Sequence, residues 1–378
     1  MKKKWKIIFV CFVLAMIFTH AVYADESTSL PDELESVIEG LPSEIEDHLP
    51  DEIHSDDVEG VASAVGKMAS FEYIASLVGE VLGIELKKRL SLFATLVGSI
   101  LLVAIFHSFK TGLVEGALSR AVSFCSVAVI FALTTSSLMS DIGAVKNFFE
   151  KIEALMVGVI PAVSVVYAMG GNVTTAAASS GVLYIFLSFC ETICAGTVIP
   201  ICAMLTSFSL CGALSPGIRL SSLSAALKKC YTVFLTLVMS VLLFVLSSQT
   251  LLSSSADSIT ARAAKLMATS AIPIVGGSVG ETLRTVGATV SYIKSVTGLG
   301  GIFFIFILVL PTLISLLLTR FFLIICASMA EMLGCDAEGR ALSDIGGVYG
   351  TLVAVVSAVS VIFILALGIF VRCPLAVG

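Results

Sequence analysis

A single carboxylate, that of Glu191, interrupts the longest apolar stretch of the chain, which runs from Val173 to Ala213. A carboxylate in hydrocarbon is costly and usually faces a partner or a water-filled path, so Glu191 is a candidate for binding an ion or a substrate. The stretch is long enough for two membrane crossings, and a turn at Glu191 would divide them and weaken that interpretation. Cys190 and Cys194 flank the carboxylate, where packing is a commoner role than redox chemistry.

A second candidate region, residues 256 to 301, is too polar to cross a membrane and too regular for a loop. We expect an amphipathic helix with a basic side, a break at proline and glycine, and a second polar helix that ends near Gly298 to Gly301. The segment is either a re-entrant, cavity-lining element or a pair of helices lying on the lipid headgroups. The residues that could bind a ligand are Arg262, Lys265, Pro273, Gly276, Glu281 and Arg284.

Catalytic and cofactor motifs are missing from the sequence. It contains no glycine-rich phosphate loop ending in Gly-Lys-Ser or Gly-Lys-Thr, no His-Glu-x-x-His and no Gly-x-Ser-x-Gly. The four histidines are scattered, and the cysteines lack metal-ligand spacing. Most cysteines lie inside apolar runs, such as Cys125, Cys202, Cys211 and Cys326, and we interpret them as small core residues. We therefore expect a protein that is not an enzyme and has no cofactor or metal. Its net charge of -6 argues against nucleic acid as a partner.

The elements that position these residues are membrane helices. Hydrophobic residues make up 57% of the chain and charged residues only 13%, which is too apolar for a soluble domain. Apolar runs close to the length of about 20 residues needed to cross a bilayer recur throughout. The predicted fold is all-α, a polytopic membrane helix bundle of about seven or eight spans. Abundant glycine, alanine and serine favour close packing of these helices.

The N-terminus predicts export. Four lysines precede the apolar run Ile7 to Phe18, and Val22, Tyr23 and Ala24 suit a signal peptidase, so we expect a cleaved signal peptide. Residues 25 to 60 then hold fourteen of the 28 acidic residues and no lysine or arginine. This acidic extracytoplasmic arm carries three Leu-Pro repeats and serves either as a docking arm for a protein partner or as a solvated spacer.

The remaining boundaries follow the apolar runs and the charges between them. Spans are expected at Leu90 to Phe109 and Ala121 to Ser140 as a hairpin, at Ile152 to Met169 with a kink at Pro161, twice within Val173 to Ala213, and at Cys230 to Leu252, Ile302 to Leu318 and Val348 to Val371. Phe321 to Leu333 fits a short interfacial helix or the second arm of a hairpin. The resulting segments are 1–24 (signal peptide), 25–60 (acidic arm), 61–89 (amphipathic lead-in), 90–252 (first transmembrane group), 253–301 (amphipathic or re-entrant segment) and 302–378 (C-terminal transmembrane helices).

The central segment also carries a resemblance to a known family. Arg262-Ala263-Ala264-Lys265, Ile272-Pro273-Ile274-Val275-Gly276 and Glu281-Thr282-Leu283-Arg284-Thr285-Val286 resemble stage III sporulation protein AE of endospore-forming Firmicutes. The signal peptide, the acidic arm, the order of spans and the Pro311-containing span are similar to that family as well. The resemblance therefore covers nearly the whole chain.

What the resemblance implies is a multi-pass membrane protein of the mother cell, in the outer forespore membrane during sporulation. It would belong to a secretion-like channel complex between mother cell and forespore that late forespore development requires. Its partners would be a cytosolic secretion-type ATPase, ring-forming membrane proteins and the lipid bilayer. The alternative is a self-sufficient secondary transporter of a small solute, with its site near Glu191 and residues 256 to 301.

Overall fold

The architecture comes from a computed structural model that describes residues 63, 65–110, 117–190, 192, 196–214, 220–271 and 276–372. The expected signal peptide and acidic arm lie outside these residues. The described ranges contain long α-helices and no strand. The helices are α1 (Phe71–Lys110), α2 (Ala117–Met169), α3 (Val173–Cys190), α4 (Gly196–Leu214), α5 (Leu220–Ala271), α6 (Gly276–Met332) and α7 (Asp336–Arg372).

Helix length and composition confirm the all-α polytopic membrane fold. Within the described part of the chain, six helices are long and apolar enough to cross a membrane, and Val173–Ile185 in α3 is a shorter apolar helix. Each helix satisfies its backbone hydrogen bonds internally, which is what hydrocarbon demands of a spanning segment. Many large apolar side chains remain exposed on them, such as Phe106 on α1 and Phe244 on α5, because lipid solvates such surfaces.

Glycine ends two of the helices by the same hydrogen-bond pattern. Gly171 after α2 and Gly334 after α6 adopt φ of 78° and 77°, a left-handed conformation that side chains with a Cβ rarely adopt. The next residue then donates its N–H back into the helix, from Asn172 to the Tyr167 carbonyl at 2.9 Å and from Cys335 to the Ala330 carbonyl at 2.8 Å. The break expected after Met169 is therefore confirmed.

Several expected boundaries are not helix ends. The lead-in and the first span form one helix, α1, and the spans at Ala121 to Ser140 and Ile152 to Met169 form one helix, α2, with Pro161 inside it. Both interpretations of Phe321 to Leu333 are wrong, since α6 continues through Arg320 to Met332. The charges that look like loop punctuation in the sequence lie on helix faces instead.

The glycines at 298, 300 and 301 do not end a helix either, because they lie inside α6. Gly298 and Gly301 pack against α7, whereas Gly300 faces Val65. A Cβ added at Gly298 would lie 2.1 Å from Val371, and one at Gly301 would lie 2.9 Å from Leu367. The expected segment 253–301 accordingly consists of the end of α5, the connection at residues 272–275, and the start of α6.

Two directions of packing organise the bundle. Helices α6 and α7 form an antiparallel hairpin, in which Gly298 faces the end of α7 and Gly339 faces Glu331 near the end of α6. Helix α2 runs parallel to α7, as shown by contacts between Ser126 and Glu338 at one end and between Tyr167 and Phe370 at the other. Helix α1 runs parallel to α6.

The cysteines divide into two classes. Cys202, Cys326 and Cys335 are buried, which confirms their interpretation as small core residues, whereas Cys125 and Cys211 are exposed. The interpretation as core residues is therefore wrong for Cys125 and Cys211. Cys125 is exposed although it lies inside the apolar run Ala121 to Ser140. An apolar run in a membrane protein has a lipid-facing side, so an apolar neighbourhood does not by itself predict burial.

Candidate functional site

A buried ion pair joins α1 to α2 midway along the bundle. The Arg89 guanidinium donates two hydrogen bonds to the Asp141 carboxylate, at 3.0 and 2.5 Å. The side chain of Asp141 is 1% exposed and that of Arg89 is 19% exposed. Such bidentate pairing fixes the angle between the two side chains as well as their charge. The residues are 52 positions apart in the chain, so the pair links helices and does not stabilise one helix alone.

Helices α6 and α7 complete this network. The Tyr349 hydroxyl of α7 donates to Asp141 Oδ2 at 2.7 Å, and Arg89 donates to Ser315 Oγ of α6 at 2.5 Å. Both oxygens of Asp141 are thus hydrogen-bonded, which a buried carboxylate requires. Four helices therefore meet at one satisfied charge pair, and the arrangement suits a rigid joint better than a reacting group.

A second group of charges lies on the other side of α7 at nearly the same level. Lys228 of α5 donates to the Asp344 carbonyl at 3.3 Å, and its ammonium lies above Gly347. The Arg320 guanidinium of α6 lies above Gly350, one turn further along α7. An added Cβ would lie 2.3 Å from Lys228 Nζ at position 347 and 3.0 Å from Arg320 Cζ at position 350, so the two cationic groups occupy the space that a side chain would take.

Together these residues form a polar belt, which we define as Arg89, Asp141, Lys228, Arg320 and Asp344. Five different helices contribute one charged residue each. Charged side chains within apolar helices are costly and usually pair with one another or mark a functional path. The polar belt is accordingly the candidate functional site of the described residues.

Two further polar contacts hold the ends of the bundle. The Ser126 hydroxyl of α2 donates to the buried Glu338 carboxylate in the first turn of α7. At the opposite end, Asp257 of α5 accepts the backbone N–H groups of Thr174 and Thr175 at 3.1 and 2.7 Å, and so caps the N-terminus of α3. Burial raises the pKa of the Asp257 carboxyl, but the hydrogen bonds from Thr175 and Thr174 lower the pKa by more, so it lies below its ordinary value.

A buried cation lies near the same end as the Asp257 cap. The Lys294 ammonium of α6 is 5.6 Å from the ring centre of Tyr167 and 5.7 Å from that of Phe370, and these rings meet edge to face. Aromatic faces stabilise a buried ammonium through their quadrupoles. This contact joins α2, α6 and α7 at the end of the bundle opposite to the Ser126 and Glu338 pair.

Comparison with known proteins decides the family. The model of stage III sporulation protein AE matches residues 58–373, which is most of the 378-residue chain. The chain belongs to the stage III sporulation protein AE family. No match is found among curated proteins or among solved structures.

Membership of the stage III sporulation protein AE family makes this a sporulation protein, and the six spanning helices make it a membrane protein. The match includes every helix that contributes to the polar belt. The resemblance is confirmed for residues 58–373, while the expected likeness of the signal peptide and of most of the acidic arm lies outside the match.

The site residues proposed from the sequence of this stage III sporulation protein AE family member fall mostly where the structure describes no side chain. Glu191 and Pro273 lie outside the described residues. Of the others only the helix is described, and these residues occupy the end of α5 and the start of α6: Arg262, Lys265, Gly276, Glu281 and Arg284. No residue of the polar belt belongs to that set.

The polar belt of this family member was missed because most of its charges lie at the border of an apolar run. Arg89 follows two lysines before Leu90, Asp141 follows Ser140, and Arg320 follows Leu318 and Thr319. Charges at such places ordinarily mark the membrane surface. Their shared position could have revealed them. If the apolar runs of the sequence are aligned by their ends, opposite charges from different helices lie at the same depth in the bundle.

Proposed function

We propose that this stage III sporulation protein AE family member is a membrane component of the secretion-like channel between mother cell and forespore. In this role it is a helical scaffold that other proteins assemble on in the outer forespore membrane. The proposal is supported by the family and by one structural observation: the apolar surface of the bundle is longer than a bilayer can cover.

The exposed apolar surface extends to both sides of the polar belt. On α1, exposed side chains continue from Arg89 to Phe106, a distance of about 25 Å at 1.5 Å per residue. On α5 they continue from Lys228 to Phe244, again about 25 Å. These directions are opposite. Phe93 of α1 packs on Phe322, so α1 runs from the polar belt toward the C-terminal end of α6. Helix α5 runs the other way, because Asp257, beyond Phe244, meets the N-terminus of α3 at the opposite end of the bundle.

The sum is about 50 Å of exposed apolar length, against a hydrocarbon core of about 30 Å. Tilting the bundle would bring this length into the core only at an angle above about 50°, beyond the usual range for membrane helices. Part of the apolar surface therefore needs cover from other protein chains. A ring-forming membrane protein of the channel would supply such a cover, and a cytosolic ATPase would supply the energy.

A photo-crosslinking amino acid tests this proposal in the sporulating host. It would replace Phe106 on α1 in one strain and Phe244 on α5 in another, with the buried Leu96 of α1 as the control position. We expect one of the two exposed positions to crosslink to another protein, the other to crosslink to lipid alone, and position 96 to form neither. If neither exposed position reaches a protein, the scaffold proposal fails.

Localisation supplies an independent test of the compartment. A fluorescent fusion is expected at the engulfing septum, and deletion of the gene is expected to abolish heat-resistant spores. A uniform membrane signal together with normal spore counts would contradict the channel role. The alternative of a self-sufficient transporter predicts solute uptake by the purified protein in liposomes, without any partner.

A further inference from the structure

Lys228 and Arg320 hold their charged groups over two consecutive turns of one face of α7. Gly347 and Gly350, the residues beneath them, are three positions apart, and Asp344 precedes Gly347 by the same spacing. Because neither glycine has a side chain, both cationic groups lie close to the α7 backbone. They come from different helices, α5 and α6, so the tertiary fold brings them together.

The charges at this place do not balance. Lys228 and Arg320 contribute two positive charges, and Asp344 is the carboxylate beside Lys228. Among the described residues, Arg320 forms no ion pair, and Lys228 reaches only the backbone carbonyl of Asp344 by a hydrogen bond. Partly buried cations beside one another repel, so an anion bound between them would stabilise both.

The location of the cluster specifies the kind of anion. The apolar run of α5 starts two residues after Lys228 and that of α7 starts directly after Gly347, while Arg320 interrupts the apolar run of α6. The apolar runs of two helices thus begin at this level and the third helix places a cation there, which is the arrangement expected where the phosphates of lipid headgroups lie.

Exposed apolar side chains flank the cluster and are suited to acyl chains. Leu317 lies one turn before Arg320 on α6, and Val233 lies just beyond Lys228 on α5; both are exposed. A phosphodiester above Gly347 and Gly350 would have its two acyl chains along these surfaces. Neither a soluble phosphate nor a carboxylate metabolite would use them.

We propose that Lys228 and Arg320, seated over Gly347 and Gly350, bind the phosphate of an anionic phospholipid headgroup. Basic clusters between transmembrane helices are a known mode of anionic lipid recognition. The inference does not depend on the channel role, since a lipid site is possible in any membrane assembly. We call it the headgroup site.

The test measures how strongly the purified full chain prefers an anionic lipid over a neutral one. Fluorescently labelled phosphatidylglycerol and phosphatidylcholine are titrated separately in a mild detergent. The preference contributed by two cations is expected to be roughly 30-fold in affinity. The double variant Lys228→Gln with Arg320→Gln should lose it. Lys229→Gln, which removes an exposed neighbouring charge, is the matched control and should keep most of it.

Three outcomes would overturn the proposal. The first is a glutamine double variant that retains the preference for phosphatidylglycerol. The second is a charge-retaining variant, Lys228→Arg with Arg320→Lys, that is as defective as the glutamine variant although it keeps the helical content of the wild type. The third is displacement of labelled phosphatidylglycerol by millimolar inorganic phosphate, which would assign the site to a soluble anion.

Discussion

At the scale of single residues, the polar belt contains charges that are compensated to very different degrees. Asp141 has Arg89 and Tyr349 as partners for its two oxygens, while Arg320 and Lys228 share the neighbourhood of one carboxylate. Burial magnifies this contrast, because a charge away from water depends on its protein partners. Substitutions at Asp141 should therefore affect folding, and substitutions at Lys228 and Arg320 should affect lipid binding.

Asp141→Asn is expected to destabilise the protein by about 3 kcal/mol. The amide removes the negative charge and leaves the Arg89 guanidinium without a carboxylate, while Arg89 is too enclosed for water to replace it fully. The value is placed at the low end of the range for buried pairs since Arg89 keeps some exposure. The measurement is the free energy of unfolding in denaturant, with the protein in detergent micelles.

Lys146→Met is the matched control for that variant, because Lys146 lies on the same helix as Asp141 and its ion pair with Glu150 leaves the two side chains 62% and 59% exposed. An exposed pair of this kind contributes at most about 1 kcal/mol. Equal losses of stability in the Asp141→Asn and Lys146→Met variants would show that the pair of Arg89 and Asp141 has no special role in the fold.

Asp257→Asn is expected to cost about 1 kcal/mol at neutral pH, because an amide cannot accept both N–H groups at the start of α3 as a carboxylate does. The pKa of Asp257 is lowered in the folded protein. Its contribution is therefore complete above the unfolded pKa of 3.8 and is lost as the pH falls through the folded value. Unfolding curves recorded from pH 7 downward should show the two proteins converging below pH 3.8. A constant difference at every pH would contradict the cap.

At the scale of elements, the closeness of α6 and α7 depends on particular glycines. A Cβ added at Gly339 of α7 would lie 2.8 Å from Glu331 Cγ and 3.1 Å from the Ala327 carbonyl oxygen of α6. The backbone atom cannot move aside as the end of a side chain can. A Cβ at Gly368, on the same helix, meets nothing within 4 Å. The two glycines therefore differ in packing although both are helical.

Gly339→Ala is expected to destabilise the hairpin by about 1–3 kcal/mol, as overpacking does in other tightly packed places. Gly368→Ala, by contrast, is expected to leave stability unchanged or to raise it by up to about 1 kcal/mol, since alanine favours helix. The check is the midpoint of thermal unfolding for both variants. Equal midpoints would mean that α6 and α7 do not approach one another as closely at Gly339 as described.

The same elements show what the sequence could and could not predict. The apolar runs sufficed for the all-α membrane fold and for the helix end at Gly170 and Gly171, because local composition and backbone conformation determine both. They did not reveal that α1, α2 and α6 continue through charged residues. Charge at the end of an apolar run is equally compatible with a loop and with a partner on another helix. Arg89 finds its partner 52 residues away, and no local pattern carries that information.

At the scale of the whole molecule, helix length and bilayer thickness conflict. Helix α2 has 53 residues and is about 80 Å long. Its middle contains Lys146 and Glu150, which form an exposed ion pair at 3.5 Å. Exposing a lysine to the centre of the hydrocarbon costs about 2.5–3.5 kcal/mol on the scale obtained from membrane insertion. This turn of α2, just past the polar belt, therefore belongs in water or among headgroups, and the apolar surface beyond it belongs in a different environment.

Cysteine substitution on α2 locates that change of environment. Lys146→Cys and Val157→Cys are matched positions on one helix, 62% and 47% exposed respectively and about 16 Å apart. In membrane vesicles that give the reagent access to both faces, a water-soluble maleimide is expected to label position 146 and to leave position 157 unlabelled. Peptide mass spectrometry separates these sites from the native cysteines. Labelling of both positions would remove the second half of α2 from the hydrocarbon, and with it the basis for assigning its exposed surface to lipid. A position 146 that resists labelling would place the charged pair under another protein chain, which is the cover that the scaffold proposal requires on one side of the polar belt.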